Sequence, residues 1–153
     1  MKAETRGSTD VPQAVLTSGQ TLAEHAGISS NALKLIYANA VGHLESGQLQ
    51  EAAMGAFQLV SLDPRTEDHW ALYGNIFMKL GYFSEAVTAW EMAMVCAPRF
   101  ATAATIARTA IAIGKLENAA EALLMAKRYK RTPAQELEFD ALVDAWYSAR
   151  AES

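Results

Sequence analysis

Histidine and cysteine side chains, which could hold a metal ion or act as nucleophiles, are few and widely spaced. The chain has three histidines, His25, His43 and His69, and one cysteine, Cys96. It contains neither His-Glu-x-x-His nor Cys-x-x-Cys, the spacings typical of zinc sites. Because one cysteine cannot form an internal disulfide, we interpret Cys96 as a small apolar residue in a reducing compartment. We predict no metal site and no cofactor.

Three carboxylates, Glu136, Asp140 and Asp144, recur every fourth residue and should share one helix face. A catalytic carboxylate pair needs a cleft that separates the two pKa values, so a solvated face is the simpler interpretation. The pair Gly114-Lys115 resembles the end of a phosphate-binding loop, but threonine stands where the earlier glycine is needed and leucine where the following Ser or Thr is needed. No catalytic constellation emerges, and we expect no enzyme activity.

A basic cluster surrounds Tyr129 and comprises Lys127, Arg128, Lys130 and Arg131. Such a cluster could contact nucleic acid, or it could complement the dipole at the end of a helix. The formal net charge of −4 and the isoelectric point near 5.4 favour the second interpretation. We therefore predict no nucleic-acid partner.

Composition and hydropathy point to one helical domain of 153 residues, half of them hydrophobic, with four prolines. The first ten residues, MKAETRGSTD, are polar, lack the apolar region of a secretory signal, and are expected to be disordered. No run approaches the ~20 apolar residues that a membrane span needs. We expect a soluble, cytoplasmic protein without direct membrane insertion.

An internal repeat organises most of the chain. Gly47, Gly81 and Gly114 lie 34 and 33 residues apart, and Pro64 and Pro98 are again 34 apart. A period in this range is typical of tetratricopeptide (TPR) repeats, each a pair of antiparallel helices. We predict an all-α fold in which three TPR repeats, at about 33–64, 67–98 and 101–131, form a short right-handed solenoid.

The middle repeat carries the clearest TPR pattern. We expect Gly74 and Ala86 to be small because the two helices of the repeat cross closely there. The aromatic residues of the repeat should fill its core. In the first repeat Phe57 falls one place later than the alignment with Trp90 predicts. The aromatic residues assigned to the middle core are Trp70, Phe77, Tyr82, Phe83 and Trp90.

Two segments flank the repeats. Residues 11–30 show a short helical pattern interrupted by Gly19. Residues 132–150 should form a capping helix that begins with the capping box Thr132-Pro133-Ala134-Gln135. The apolar face of this helix, expected to cover the last repeat, comprises Leu137, Ala141, Leu142, Ala145 and Trp146.

The first helices of TPR repeats line a concave surface that receives a peptide or helix of another protein. Here that surface is predicted to be mostly apolar and small, which suits an extended hydrophobic segment. A clamp for a terminal carboxylate would need several Lys, Arg and Asn side chains, and only Asn75 and Arg108 are candidates. The predicted lining comprises Tyr37, Val41, Leu44, Asp68, Ala71, Asn75, Met78, Ala104, Arg108 and Ile111.

Four short elements precede the second repeat: SGQTL at 18–22, IYANA at 36–40, GQLQEA at 47–52 and FQLVSLD at 57–63. With these elements, this part of the chain resembles the type III secretion chaperones of the LcrH/SycD family. The resemblance extends over about 15–129, and the Gly-x-Thr-Leu element ahead of the first repeat is its most specific part.

The resemblance implies a bacterial cytoplasmic chaperone that uses neither nucleotide nor metal. Such chaperones hold hydrophobic translocator proteins before secretion. The resemblance also implies a possible homodimer, with Val15, Leu16, Leu22 and Ile28 as candidate contacts, and a secondary role as partner of a transcription activator. The alternative is a TPR scaffold that holds a folded partner within a larger assembly.

Overall fold

The structure, a computed structural model, describes residues 18–153. Every regular element in that part of the chain is an α-helix. The predicted N-terminal disorder at 1–10 and the candidate contacts Val15 and Leu16 lie outside the described residues. The helices are α1 (Leu22–His25), α2 (Ser30–Glu45), α3 (Leu49–Leu62), α4 (Glu67–Leu80), α5 (Phe83–Cys96), α6 (Phe100–Ala112), α7 (Leu116–Tyr129) and α8 (Pro133–Ala151).

The helices pack as three consecutive pairs, α2 with α3, α4 with α5, and α6 with α7. Short connections between the partners make each pair antiparallel. Each pair contacts the next through α3 and α4 or through α5 and α6, and α8 packs on both α6 and α7. The predicted all-α TPR fold is confirmed.

Gly81 ends α4 in the left-handed conformation, with φ of 81°. There its N–H donates to the carbonyl oxygen of Met78 at 3.2 Å, and the N–H of Tyr82 donates to that of Phe77 at 2.9 Å. These bonds satisfy carbonyls that the end of the helix leaves free. Side chains other than glycine enter this backbone region at a cost, which explains a glycine at the turn.

The close crossing inside the second pair depends on Gly74, as the sequence predicts. A Cβ atom at this position would lie 2.4 Å from Nε1 and 2.5 Å from Cδ1 of Trp90. The Trp90 indole therefore occupies the space that a side chain at Gly74 would need, and only 4% of Trp90 is exposed.

The prediction that all the aromatic residues of the middle repeat are core is wrong in part. Tyr82 and Phe83 are 53% and 42% exposed because they begin α5 at the edge of the pair. Trp70 is half-buried, and its Nε1 donates to the carbonyl oxygen of Pro64 at 2.7 Å. Phe77 packs against the core beside Trp90.

The late position of Phe57 in the first repeat has a structural counterpart. Ala56 is fully buried, whereas Phe57 is 60% exposed. The equivalent buried position on the second helix is thus occupied by the Ala56 methyl group in the first repeat and by the Trp90 indole in the second. The buried cluster of the first repeat extends onto α4 of the second repeat and comprises Ala40, Ala52, Ala56, Leu59, Leu72 and Ile76.

Helix α8 begins where its capping sequence predicts. The Thr132 hydroxyl accepts a hydrogen bond from the N–H of Gln135 at 3.2 Å. The Gln135 side chain accepts from the N–H of Arg131 at 2.7 Å, one residue earlier than in the usual capping box. Lys130 pairs with Glu136, and this contact ties the first turn of α8 to the end of α7.

The face that α8 buries differs from the predicted one. Leu142 is buried and Trp146 donates its Nε1 to the carbonyl oxygen of Leu116 at 2.9 Å. Phe139 and Val143 also pack inward, whereas Leu137 is 74% exposed. Ala141 and Ala145 are exposed as well. The prediction fails for these three residues because helical periodicity leaves the rotation of α8 undetermined.

Ahead of the first repeat, Thr21 and Glu24 form a capping box around α1. Arg65, in the loop after α3, bonds both carboxylate oxygens of Glu24 at 3.0 Å. This contact and the packing of α1 on α3 fix the segment on the first repeat. Leu22 and Ile28 are both half-buried in this segment.

Candidate functional site

Helices α2, α4 and α6 are the first helices of the three pairs, and we call the surface that they share the groove. It contains two pockets that include predicted lining residues. One lies between α2 and α4 and holds Tyr37 and Asp68, and the other lies between α4 and α6 and holds Ala71 and Asn75.

The first of these, the Tyr37 pocket, has polar side chains and one aromatic ring on each of its two sides. The rings of Tyr37 and buried His69 have centroids 6.3 Å apart. Burial raises the pKa of Tyr37, and nearby Asp68 raises it further. The hydroxyl therefore stays neutral and available as a hydrogen-bond donor. The pocket comprises Ser30, Leu33, Lys34, Tyr37, Asp63, Thr66, Asp68 and His69.

The second, the Asn75 pocket, is lined by small and uncharged side chains apart from one indole edge. Asn75 is exposed, and its Oδ1 accepts a hydrogen bond from Nε1 of Trp90 at 3.2 Å. The Thr105 hydroxyl donates to the carbonyl oxygen of Ala101 at 2.9 Å. The pocket comprises Ala71, Asn75, Trp90, Ala101, Thr102 and Thr105.

The remaining predicted residues of the first two repeats lie near these pockets in the chain. Val41 and Leu44 are half-buried and pack against the buried cluster of the first repeat. Their exposed parts leave an apolar strip on α2. Met78, one turn after Asn75, is 40% exposed and supplies a flexible apolar side chain.

The third repeat differs most from the predicted lining. Ala104 is only 1% exposed because it belongs to the core between the last helices, so its side chain cannot form part of an accessible surface. Arg108 is exposed but forms an ion pair with Glu138 of α8. Ile111 is half-buried. Helix α8 therefore restricts the groove at this end.

Sequence reasoning missed Lys34, Ala101, Thr105 and Trp90. The repeat period could have predicted Lys34 and Ala101, since they lie 34 residues before and 33 residues after Asp68. Thr105 follows Ala101 by one helical turn. Trp90 belongs to a second helix and reaches the groove only because Gly74 has no side chain, which no periodic pattern reveals.

Two members of the basic cluster, Lys130 and Arg131, have structural partners. Lys130 lies over the Phe139 ring, 4.6 Å from its centroid, besides pairing with Glu136. Arg131 donates to the carbonyl oxygens of Arg128 and Lys130 at 2.7 and 2.8 Å. The cluster thus caps the end of α7.

Within residues 18–153 no group of three or more His, Cys, Asp or Glu side chains could hold a metal ion. None of the helices described is long and apolar enough to cross a membrane. The groove instead offers shape, apolar contact area and a few fixed hydrogen-bonding groups, which are the means of binding a peptide.

No protein-family model matches the chain, and no curated protein matches it. Solved structures do match. A CopN–Scc3 complex contains a chain with a TM-score of 0.73 and 18% identity, covering 91% of this chain and 81% of that one. A type III secretion system complex from Aeromonas hydrophila contains a chain with a TM-score of 0.72 and 20% identity, covering 92% of this chain and 95% of that one.

The Yersinia enterocolitica type III secretion chaperone SycD, solved with a peptide of the translocator YopD, gives a TM-score of 0.67 and 18% identity, with coverage of 82% of this chain and 97% of that one. Identities at this level establish the shared fold. The chain therefore has the fold of type III secretion translocator chaperones.

Proposed function

We propose that the protein is a chaperone of the bacterial cytoplasm that binds the hydrophobic translocator proteins of a type III secretion system in its groove. By occupying an exposed apolar segment, it would keep the client from aggregating or inserting into a membrane too early. The protein performs no reaction, and binding needs neither a metal ion nor a nucleotide.

One observation carries the proposal: the Asn75 pocket lies in the groove and is lined by uncharged side chains, all of them small except the Trp90 indole. A carboxylate-binding TPR surface needs cations there, whereas an extended apolar segment needs shallow pockets for alternate side chains. The solved complex of SycD with a translocator peptide supports the proposal through the shared fold.

A TPR scaffold for a folded partner is the second candidate. It is favoured by apolar side chains on the second helices, outside the groove, where Val95 is 77% and Leu124 is 70% exposed. The SycD fold has also been solved as an alternative dimer. We include a homodimer through the N-terminal segment, with Leu22 and Ile28, in the proposal.

The test is capture of partners by the tagged full-length chain in its native host, compared with Tyr37→Glu, Met78→Glu and Val95→Glu. Val95→Glu is the matched control because it places the same charge on an exposed apolar site outside the groove. Circular dichroism establishes that each variant is folded. Peptides that tile the captured client then identify the bound segment.

We expect the wild-type chain and Val95→Glu to recover a secreted protein with membrane-seeking segments, and both groove variants to lose it at least tenfold. Recovery of a folded soluble partner that is lost only in Val95→Glu would contradict the chaperone function and support the scaffold.

A further inference from the structure

The indole of Trp90 reaches the groove from the second helix of its pair. It does so over Gly74, where a Cβ atom would lie 2.4 Å from the indole nitrogen. The nitrogen then lies 3.2 Å from Oδ1 of Asn75. Trp90 is 4% exposed, so its ring is held by packing on all but one edge.

This contact fixes the orientation of the Asn75 amide. An indole nitrogen can only donate, so the amide must turn its oxygen toward Trp90 and its nitrogen away. The two N–H groups of Nδ2 have no acceptor among residues 18–153, and Asn75 is exposed. A freely rotating amide would offer donor or acceptor equally, whereas this one offers donors.

The rest of the Asn75 pocket adds one other polar group, the Thr102 hydroxyl. Thr105 already directs its hydroxyl hydrogen to the carbonyl oxygen of Ala101. Ala71 and Ala101 provide methyl groups only. A molecule in this pocket therefore meets small apolar walls, the Thr102 hydroxyl and, at Asn75, a pair of N–H donors whose direction Trp90 fixes.

We propose that Trp90 is a positioning residue that holds Asn75 so that its amide donates to a main-chain carbonyl of an extended client segment. The adjoining client side chain, small or medium in size and apolar, enters the Asn75 pocket. The inference deepens the proposed function and rests on it.

The donor also selects the conformation of the client. The carbonyl oxygens of a helix are bonded within the helix except in its last turn. Those of an extended segment are free to accept. Asn75, oriented by Trp90, thus favours an extended segment over an amphipathic helix of the same composition.

Two substitutions separate the parts of this arrangement. Trp90→Phe keeps an aromatic ring against Gly74 and removes the N–H. Asn75→Asp keeps an oxygen toward Trp90 but has no N–H to donate. Trp70→Phe is the matched control, since Trp70 donates to the carbonyl oxygen of Pro64 outside the pocket.

The measurement is the affinity of each full-length variant for a fluorescein-labelled synthetic peptide of the bound client segment, identified by tiling. We expect Asn75→Asp to weaken binding about fivefold to tenfold, as loss of one hydrogen bond does. Trp90→Phe should weaken it about twofold, because an amide that is free to turn presents its donors about half of the time. The double variant should bind no more weakly than Asn75→Asp alone, because Trp90 acts through Asn75. Trp70→Phe should bind like the wild type.

Wild-type affinity in Asn75→Asp, or a double variant whose loss is the product of the two single losses, would overturn the inference and leave the proposed function intact. If Trp90→Phe does not fold, Asn75→Asp alone decides. Failure of the wild-type chain to bind any client peptide would instead contradict the proposed function, and with it the inference.

Discussion

At the scale of single residues, Gly74 is where one added methyl group has the clearest consequence. In Gly74→Ala the new Cβ would meet the Trp90 ring at 2.4 to 2.9 Å, so the indole or α4 must shift. We expect the free energy of unfolding, measured by urea denaturation, to fall by about 1–3 kcal/mol.

Gly42 supplies the control, since it also lies inside a helix but a Cβ there would meet nothing within 4 Å. Gly42→Ala should raise the free energy of unfolding by about 0.5–1 kcal/mol, because alanine loses less backbone freedom on folding. Equal effects of the two substitutions would contradict the close crossing at Gly74.

Cys96 gives a second prediction at this scale. Burial raises the pKa of its thiol, and Asp63 and Glu67 raise it further. Because the thiolate is the nucleophile, the folded protein at pH 8 should react with iodoacetamide more slowly than the urea-unfolded chain. Faster reaction in the folded protein would contradict the assigned surroundings.

The same shift has a consequence for stability. Since the folded pKa lies above the unfolded one, the neutral thiol stabilises the fold below about pH 8.5. That contribution is lost as the pH rises through the folded pKa. Burial also raises the pKa values of Tyr37 and Tyr73, so their deprotonation at higher pH likewise lowers the stability of the fold.

At the scale of elements, the sequence predicted the helix pairs because their turns recur. Gly47, Gly81 and Gly114 all have positive φ, at 78°, 81° and 75°, so one local requirement repeats with the period. The predictions failed where burial depends on a neighbouring helix. Periodicity placed Ala104 on the groove side, and the packing of the last helices buried it.

The contribution of α8 is testable within one helix. Leu142 is 6% exposed and Leu137 is 74% exposed. Leu142→Ala should lower the free energy of unfolding by about 2–4 kcal/mol, because it leaves a cavity between the last helices. Leu137→Ala should change it by less than about 0.5 kcal/mol. Similar losses would show that α8 is rotated differently on α6 and α7.

At the scale of the whole molecule, the two pockets lie along one groove, with the Tyr37 pocket toward the first repeat and the Arg108–Glu138 ion pair toward α8. Of the residues that line the two pockets, the predicted lining included Tyr37, Asp68, Ala71 and Asn75. The repeat period could not locate Trp90, whose role depends on the three-dimensional contact with Gly74. The groove is thus a property of the stacked pairs rather than of any one repeat.

The central claim is that a translocator client binds in this groove, and site-specific photo-crosslinking tests it most directly. A photoreactive amino acid replaces Met78, 40% exposed and predicted to line the groove, or Val95, 77% exposed on the second helix of the same pair. In the native host we predict a crosslink from position 78 to a secreted, membrane-seeking protein and none from position 95. Crosslinks to such a protein from position 95 alone would contradict the claim.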